Sequence, residues 1–181
     1  MKKLFVVLFL LCGISVCAQI RVNDREQDSS DFPLCVGGKA CDIYIDSSDF
    51  EVVKKVSSLF AEDVERVTGH QNRVDSKRTP EGKAVMVIGT LGHNRFIDEL
   101  VEQGKLDIAT IRNGWEQYLI QTVDNPAKDV SRALVIAGCD RRGTAYGTFA
   151  LSEAIGVSPL IGNWETSVLK RMPKSANCCY V

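Results

Sequence analysis

Residues 133–159, ALVIAGCDRRGTAYGTFALSEAIGVSP, contain the pattern that decides the fold. The mostly apolar run at 132–137 predicts a strand that is buried on both faces. Asp140 follows the Gly138 corner and can cap a helix, and Gly156 can end that helix in a left-handed conformation. The positions of this helix that we expect to face the core are Ala145, Phe149, Ala154 and Ile155. A strand that turns through a tight corner into a helix is a building unit of α/β folds.

The segment from residue 48 to residue 69 predicts an earlier helix. Ser48 and Glu51 have the spacing of a capping box, in which each side chain bonds the other residue's backbone amide. Gly69 stands where a left-handed C-terminal cap would fall. The helix between them has one apolar stripe at three- and four-residue spacing, formed by Val52, Val56, Phe60, Val64 and Val67.

The remaining elements complete an alternation of strands and helices. The run AVMVI at 84–88 predicts a second buried strand, and Asn94 can cap a helix that Gly104 ends. Further strands are predicted at 42–45 and 116–123, and loops at 72–83 and from Asp124 onward, while 105–114 is a candidate short helix. The order strand-helix-strand-helix-strand-strand-helix predicts a two-layer α/β sandwich with a mixed sheet.

The amino terminus predicts export. Lys2 and Lys3 precede an apolar run at 4–17, and Ala18 ends a plausible cleavage site, so we expect a signal peptide at 1–18. Lipidation of Cys17, which would anchor the domain to a membrane, is the alternative. We expect a secreted or periplasmic protein with a flexible leader at 19–34, an α/β domain at 35–159 and a divergent tail at 160–181.

The charges and cysteines limit which classes of partner and cofactor we expect for this chain. The chain of 181 residues has a net charge of −1 and no basic block, so we expect no nucleic-acid partner and, after signal removal, no membrane partner. Five cysteines follow the signal, an odd number, and of these Cys35 and Cys41 flank a turn and could pair. Cys139 resembles a buried small hydrophobe. Only His70 and His93 could assist a metal and no ligand spacing is present, so we expect neither metal nor other cofactor.

Two glycine corners and several aromatic residues are the candidate binding features. The turn at 89–92 and the corner at 138–143 could hold an anion on backbone amides, although the sequence favours plain strand-to-helix turns as the reason for their glycines. Arginine can bind a carboxylate through two parallel hydrogen bonds, and aromatic faces suit sugar rings. Tyr118 could add to such an aromatic platform, although core packing is the favoured role for these rings. The candidate substrate-binding residues are Arg141, Arg142, Trp115 and Tyr146.

The sequence does not predict a catalytic residue. Hydrolysis of a glycosidic bond needs two carboxyl groups about 5–9.5 Å apart. Four acids are available in principle but form no recognisable acid–base pattern, namely Asp107, Asp124, Asp140 and Glu153. No serine or cysteine has the local signature of a nucleophile.

Five segments together resemble the N-terminal domain of glycoside hydrolase family 115, the xylan α-1,2-glucuronidases: FPLCVGGKACDIYIDSSDFEVV at 32–53, FAEDVERVTG at 60–69, VIGTLGHNRFIDELVEQGKLD at 87–107, GWEQYLIQTVDNP at 114–126, and residues 133–159. The most specific parts are GTLG with the helix after it and the DRRGTAYG corner. A looser version of that corner occurs in the domains that precede the barrels of hexosaminidase-like glycosidases. The resemblance implies a mixed sheet with helices packed on it.

The resemblance also implies a function for this region. In the family, catalysis belongs to a (β/α)-barrel that follows this domain, and such a barrel alone needs about 250 residues. The domain is therefore expected to be non-catalytic, with the absent barrel as its partner and xylan oligosaccharide as a further candidate partner. A stand-alone module that binds glucuronoxylan is the alternative. The sequence departs from the family at Leu160, and we hypothesise a truncated gene with a frameshift near that codon.

Overall fold

The structure is a computed structural model that describes residues 20–23, 31–76 and 80–157, and the backbone of residues 178–180. The expected signal peptide at 1–18 lies outside the described residues. So does the expected tail at 160–181, apart from the backbone of 178–180.

A five-stranded mixed sheet forms the centre of the domain. Its strand order is β4-β3-β5-β7-β6, where β3 is Asp42–Tyr44, β4 is Val74–Asp75, β5 is Gly82–Thr90, β6 is Tyr118–Ala127 and β7 is Val130–Gly138. Four of these strands are parallel, and β6 at one edge is antiparallel to β7. The buried runs predicted at 84–88 and 132–137 are the inner strands β5 and β7, as expected for strands covered on both faces.

In the part of the chain that the structure describes, three helices cover the sheet. Helix α1 (Glu51–Thr68) and helix α3 (Arg141–Ala154) lie side by side on one face, where Phe60, Val64 and Leu151 pack on Met86 and Ile136. Helix α2 (Arg95–Glu102) packs on the other face.

The opposite layer is completed by residues that follow α2. Ile97 and Leu100 of the helix, and Leu106 and Ile111 after it, pack against Val87 and the other residues of that face of the sheet. The predicted α/β class with a mixed sheet and packed helices is therefore confirmed. The sheet, however, is covered on both faces, so the domain has three layers where the sequence predicted two.

The domain begins earlier than residue 35. Phe32 and Leu34 are fully buried in the core, and Ile20 and Val22 pack against it. Strand β1 (Pro33–Val36) also starts within the expected leader and pairs with β2 (Lys39–Ala40). The prediction of a flexible leader over 19–34 is wrong for these residues, because their apolar side chains fill a core that the short sequence pattern did not reveal.

Several helix boundaries confirm the predicted caps. Asn94 caps α2 by accepting from the amide of Ile97, and Asp140 caps α3 by accepting from the amides of Arg142 and Gly143. Gly69 is left-handed after α1, with φ of 77°. The capping box of Ser48 and Glu51 is not formed, because α1 begins one residue after Phe50 and Ser48 bonds elsewhere.

Other local predictions need correction. Val52 and Phe149 are exposed, and the inward face of α3 consists largely of small and hydroxyl side chains. The expected loop at 72–83 contains β4 and the start of β5, and the expected loop after Asp124 belongs to β6, which continues through a bulge to Ala127. No helix forms at 105–114. Among the described residues, no helix is long and apolar enough to cross a membrane.

Candidate functional site

The carboxyl ends of β3, β5 and β7 meet at one edge of the sheet, which we call the carboxyl edge. It consists of residues 45–50, 91–94 and 139–140, together with 114–117, which pack beside them. Open α/β sheets bind ligands outside the carboxyl ends of their strands, where successive helices leave on opposite faces. Here α1 and α3 lie on one face and α2 on the other, so this edge is the first place to look for a site.

Asp46 is a fully buried carboxylate at the carboxyl edge, and its oxygens are all engaged by the chain. Oδ1 accepts from the amide and hydroxyl of Ser48 at 2.9 and 2.8 Å. Oδ2 accepts from the amide and Nε of Arg95 at 3.3 and 3.0 Å. Burial alone would raise the pKa of Asp46, but these hydrogen bonds outweigh it and hold its pKa well below the ordinary value. Asp46 thus joins the β3–α1 loop to the start of α2.

Asp49 is the second buried carboxylate at this edge. It accepts from the amides of Thr90 and Phe50, both at 2.8 Å. Burial raises its pKa, and the two amides offset part of that rise. Thr90 continues the chain of contacts through its hydroxyl, which lies 2.9 Å from the hydroxyl of Thr144 in α3. Polar side chains therefore connect all three helices beneath the carboxyl edge.

Backbone amides at both glycine corners donate hydrogen bonds to acceptors of the same chain. The amides of Leu91, Gly92 and His93 donate to Gly138 O, Asp98 Oδ1 and Thr90 O. At the second corner, Asp140 takes the amides of Arg142 and Gly143. Gly89 and Gly138 serve close packing instead, since a Cβ on Gly89 would lie 2.5 Å from the side-chain nitrogen of Asn94 and one on Gly138 would lie 2.1 Å from the backbone nitrogen of Thr144. This geometry favours plain strand-to-helix turns over an anion site.

Asp140 also holds the segment 114–117 against the start of α3. Its Oδ2 accepts from the amide of Glu116 at 2.9 Å, and the amide of Gly143 is foremost among the donors that lower the pKa of Asp140. Glu116 Oε1 in turn accepts from Arg142 Nη1 at 2.7 Å, and this carboxylate raises the pKa of Arg142. Glu116 has φ of 55°, a left-handed conformation that costs a non-glycine residue energy. The sequence predicted a plain strand start here and gave no signal of this role.

Three of the four predicted substrate-binding residues lie close together on the surface. Trp115 precedes Glu116 and is 77% exposed, and Tyr146 lies one helical turn after Arg142 and is also exposed. The exposed Tyr118 of β6 extends this region, because its ring lies against Gly147 of α3. We call Trp115, Tyr118, Arg142 and Tyr146 the aromatic surface. The expectation that these three rings pack in the core is therefore wrong, because all three are exposed.

Arg141 is separated from the aromatic surface. Its guanidinium lies over the ring of Phe50, 5.9 Å from the centroid, on the side of α3 that faces the start of α1. The ring of His93 contacts the same Phe50 at a centroid distance of 4.2 Å. The sequence pairs Arg141 with Arg142, but successive residues of a helix point in directions about 100° apart, so the two serve different surroundings.

The four candidate acids do not form a catalytic pair. Asp124 binds Arg132 at 2.6 Å, Asp140 caps α3, Asp107 Oδ1 accepts from the amide of Ala109, and Glu153 is exposed near the end of α3. A cleft of about 850 Å³ lies at the opposite edge of the sheet and is lined by residues that include Asp42, Lys83, Asp124 and Arg132, with no aromatic side chain among the described residues that line it. Within the described ranges, no cluster of three or more histidine, cysteine or acidic side chains could hold a metal.

Comparisons with known proteins point to the glycosidases. The chain is similar to a solved structure of BtGH115A, described as a family GH115 4-O-methyl-α-glucuronidase with specificity for decorated arabinogalactans, at 26% identity and a TM-score of 0.59. The match covers 80% of this chain and 17% of that chain. The solved structure of CpGH84D also matches, at 13% identity and a TM-score of 0.49, over 71% of this chain and 19% of that chain.

The chain therefore spans less than a fifth of the length of either of these proteins. No protein-family model matches it, and no curated protein sequence does. The likeness to BtGH115A supports a glycoside hydrolase-related domain and a GH115-like fragment.

Proposed function

We propose that this chain forms a non-catalytic domain of a secreted α-glucuronidase-like glycoside hydrolase that acts on uronic-acid side chains of xylan. The observation that carries the proposal is the likeness to BtGH115A, which extends over 80% of this chain at 26% identity. The same likeness covers only 17% of that glucuronidase, so the relationship concerns one part of a much longer enzyme.

The non-catalytic role is supported by the hydrogen bonds that the carboxylates of the carboxyl edge accept from the chain itself. Asp46 and Asp49, the buried pair at the carboxyl edge, receive hydrogen bonds from the chain that leave them holding loops together. Glu116 and Asp140 fix the start of α3 in the same way. Glycoside hydrolysis needs one acid that is free to protonate a leaving group and a second that faces the sugar. Neither pair offers this.

The proposed partner is the catalytic barrel. Exposed apolar side chains lie on the outer surface of the layer formed by α1 and α3, including Val52, Leu59 and Phe149. Exposed apolar groups collected on one layer are typical of surfaces that another domain covers. The domain would then support the barrel and perform no chemistry itself.

An assay of the full chain tests this function. Incubation with glucuronoxylan, and in parallel with decorated arabinogalactan, should release no glucuronic or 4-O-methylglucuronic acid above a buffer control. Both polymers are tested so that an absence of release cannot be ascribed to the choice of substrate. Release of either acid that Glu116→Gln or Asp49→Asn abolishes, in a variant that stays folded by circular dichroism, would overturn the non-catalytic role.

The aromatic surface favours one second candidate, a module that binds glucuronoxylan. An exposed tryptophan beside a tyrosine and an arginine offers a flat face for a sugar ring and a cation for a uronic acid. Affinity electrophoresis in gels that contain glucuronoxylan tests it. Retardation that Trp115→Ala removes, Trp115→Phe retains and Arg142→Gln weakens would support the module, and equal mobility with and without polymer would exclude it.

The proposed localisation is outside the cytoplasm, either secreted or periplasmic, with a lipoprotein anchored at Cys17 as the alternative. Amino-terminal sequencing of protein recovered from an exporting host distinguishes them. A terminus at Gln19 supports cleavage of the signal. A terminus at a lipid-modified Cys17 supports the anchored form.

A further inference from the structure

The outer edge of β6 pairs with no strand in the described part of the chain. β6 ends the strand order of the central sheet, and the small sheet, of order β2-β1-β8 with β8 at Cys178–Tyr180, adds no strand to it. β6 is also long, with ten residues, whereas β4 at the opposite edge has two. A long open edge presents backbone donors and acceptors to any further strand that can align with it.

The hydrogen bonds between β6 and β7 show which backbone groups of β6 face outward. The amide of Cys139 donates to Gln117 O at 3.0 Å, in the register that continues along the pair. Bonded and unbonded pairs alternate in an antiparallel ladder. Gly138 accordingly turns its carbonyl the other way, to the amide of Leu91. The backbone groups that point away from β7 therefore belong to alternate residues of β6, namely Tyr118, Ile120, Thr122 and Asp124.

The outer edge of β6 is protected at one end only. At the far end the strand bulges before Ala127. There Lys105 Nζ also donates to the carbonyls of Asn125 and Pro126, at 3.0 and 3.1 Å. Charged residues, proline and bulges are the usual means by which natural proteins prevent edge pairing. Residues 118–123, YLIQTV, include neither charge nor proline, so the open part of the edge is short and uncharged.

We propose that two copies of this chain pair through β6, antiparallel and about a two-fold axis at Gln121. This axis places Ile120 opposite Thr122 of the second copy. Tyr118 then lies opposite Asp124 of the second copy, and every outward backbone group of these residues gains a partner. The same surface serves on both copies, so the pair is closed and leaves β6 no free edge for a third copy.

The side chains that face each other in this pair are complementary. On the α2 face, Leu119 and Val123 contact the core and Gln121 lies between them. Leu119 faces Val123 of the second copy, which pairs two apolar side chains. The two Gln121 side chains meet at the axis, where each amide can donate to the oxygen of the other. On the other face, the hydroxyl of the exposed Tyr118 can donate to the exposed carboxylate of Asp124.

Other axes near the middle of β6 are less favourable. An axis at Ile120 places Glu116 opposite Asp124 of the second copy, and like charges that face each other destabilise a sheet. An axis at Thr122 brings Pro126, which has no amide, into the pair. An axis between two residues sets outward backbone groups opposite groups that face β7. The inference rests on this strand edge alone and does not depend on the proposed glycosidase role.

Sedimentation velocity of the chain recovered from an exporting host tests the dimer. The wild type should sediment as a dimer at high concentration and dissociate on dilution. Gln121→Lys sets two like charges at the axis, so it should remain a monomer at every concentration while circular dichroism shows that it stays folded. Gln71→Lys is the matched control, because Gln71 is exposed and shortly precedes β4 at the opposite edge of the sheet. It should sediment as the wild type does.

Crosslinking then tests the register, and it decides the matter if Gln121→Lys does not fold. Facing residues at an unbonded position have Cα atoms about 4.5 Å apart, within the range of about 4.4–6.8 Å for a disulfide, whereas diagonal neighbours are about 7–8 Å apart. Oxidised glutathione should therefore link two copies of Gln121→Cys through their tryptic peptides 113–128 and leave Thr122→Cys unlinked.

Three results would overturn the proposal. The first is a wild type that stays monomeric or forms assemblies larger than a dimer. The second is a dimer of Gln121→Lys as stable as that of the wild type. The third is a disulfide between copies of Thr122→Cys in place of one between copies of Gln121→Cys, which would contradict the axis.

Discussion

Arg142 Nη1 donates to Glu116 Oε1 at 2.7 Å, and Glu116 accepts this bond from a left-handed backbone conformation with φ of 55°. The amide of the same Glu116 donates to Asp140, the residue that caps α3. One strained residue thus binds both the cap and the first turn of α3.

The strain at Glu116 can be separated from its contacts by two substitutions. Glu116→Ala and Glu116→Gly both remove the ion pair with Arg142, but only glycine adopts φ of 55° without steric cost. We expect Glu116→Ala to be less stable than Glu116→Gly by about 1 kcal/mol. Urea denaturation of both variants measures the difference. Equal stabilities would show that the left-handed conformation is not maintained in solution.

Gly138 should tolerate no side chain. A Cβ there would lie 2.1 Å from the Thr144 amide, and backbone cannot move aside as a flexible side chain can. We expect Gly138→Ala to cost about 3 kcal/mol or more, the upper range for overpacking. Gly92→Ala is the control, because its Cβ meets open space and its φ of 75° should cost only about 1 kcal/mol. Similar losses for both variants, measured by thermal or urea unfolding, would contradict the close approach at Gly138.

The outcome at these corners shows what the sequence could predict. Asn94, Asp140 and Gly69 were identified as helix boundaries because each acts through a bond to the adjacent backbone, which needs no knowledge of the rest of the fold. Ser48 was assigned to the same kind of cap, but its hydroxyl bonds Asp46 and the carbonyl of His93 instead. A contact with a residue 45 positions away competes successfully with the local one, and no local pattern reveals it.

The candidate site also has features that the sequence could predict and features that it could not. Trp115, Arg142 and Tyr146 could be named from residue type, and the structure exposes both aromatic rings and joins Arg142 to Glu116, the residue after Trp115. Phe149 was assigned to the core because it is apolar, yet it faces outward, while Thr144, Thr148 and Ser152 occupy the inner face of α3. The hydroxyls of Thr144 and Ser152 donate to Gly89 O of β5 and to Asp63 of α1, partners that only the packed fold supplies, whereas the hydroxyl of Thr148 donates to Thr144 O within α3.

The hydroxyl of Thr144 gives a test of that buried polar face. It lies within 3.1 Å of Gly89 O and 2.9 Å from the hydroxyl of Thr90, and both threonines are buried. Thr144→Val keeps the shape but removes these hydrogen bonds, so we expect a loss of about 0.5–1.5 kcal/mol. Thr144→Ser keeps the hydroxyl and should lose less. If valine proved as stable as threonine in urea unfolding, the hydrogen bonds would contribute nothing to the packing of α3.

The stability of the domain should fall in acid through Asp46. The hydrogen bonds from Ser48 and Arg95 hold the folded-state pKa of Asp46 below the value of about 3.9 expected in the unfolded chain. Its contribution is therefore complete above about pH 5 and is lost as the pH falls below 4 towards the folded-state pKa. Asp46→Asn, which replaces an acceptor of four hydrogen bonds by an amide, should cost about 2 kcal/mol at pH 7.

The measurement that distinguishes this effect is the pH dependence, not the loss at neutral pH. Urea unfolding from pH 7 to pH 3 should show a wild-type stability that declines below pH 4 and a shallower decline for Asp46→Asn, so that the two curves approach each other in acid. Asp107→Asn is the matched control, because Asp107 is exposed and accepts only from the amide of Ala109. Its curve should follow the wild type throughout. Parallel curves for Asp46→Asn and the wild type would mean that Asp46 binds its proton equally well in the folded and unfolded chains, which the four hydrogen bonds to its carboxylate do not allow.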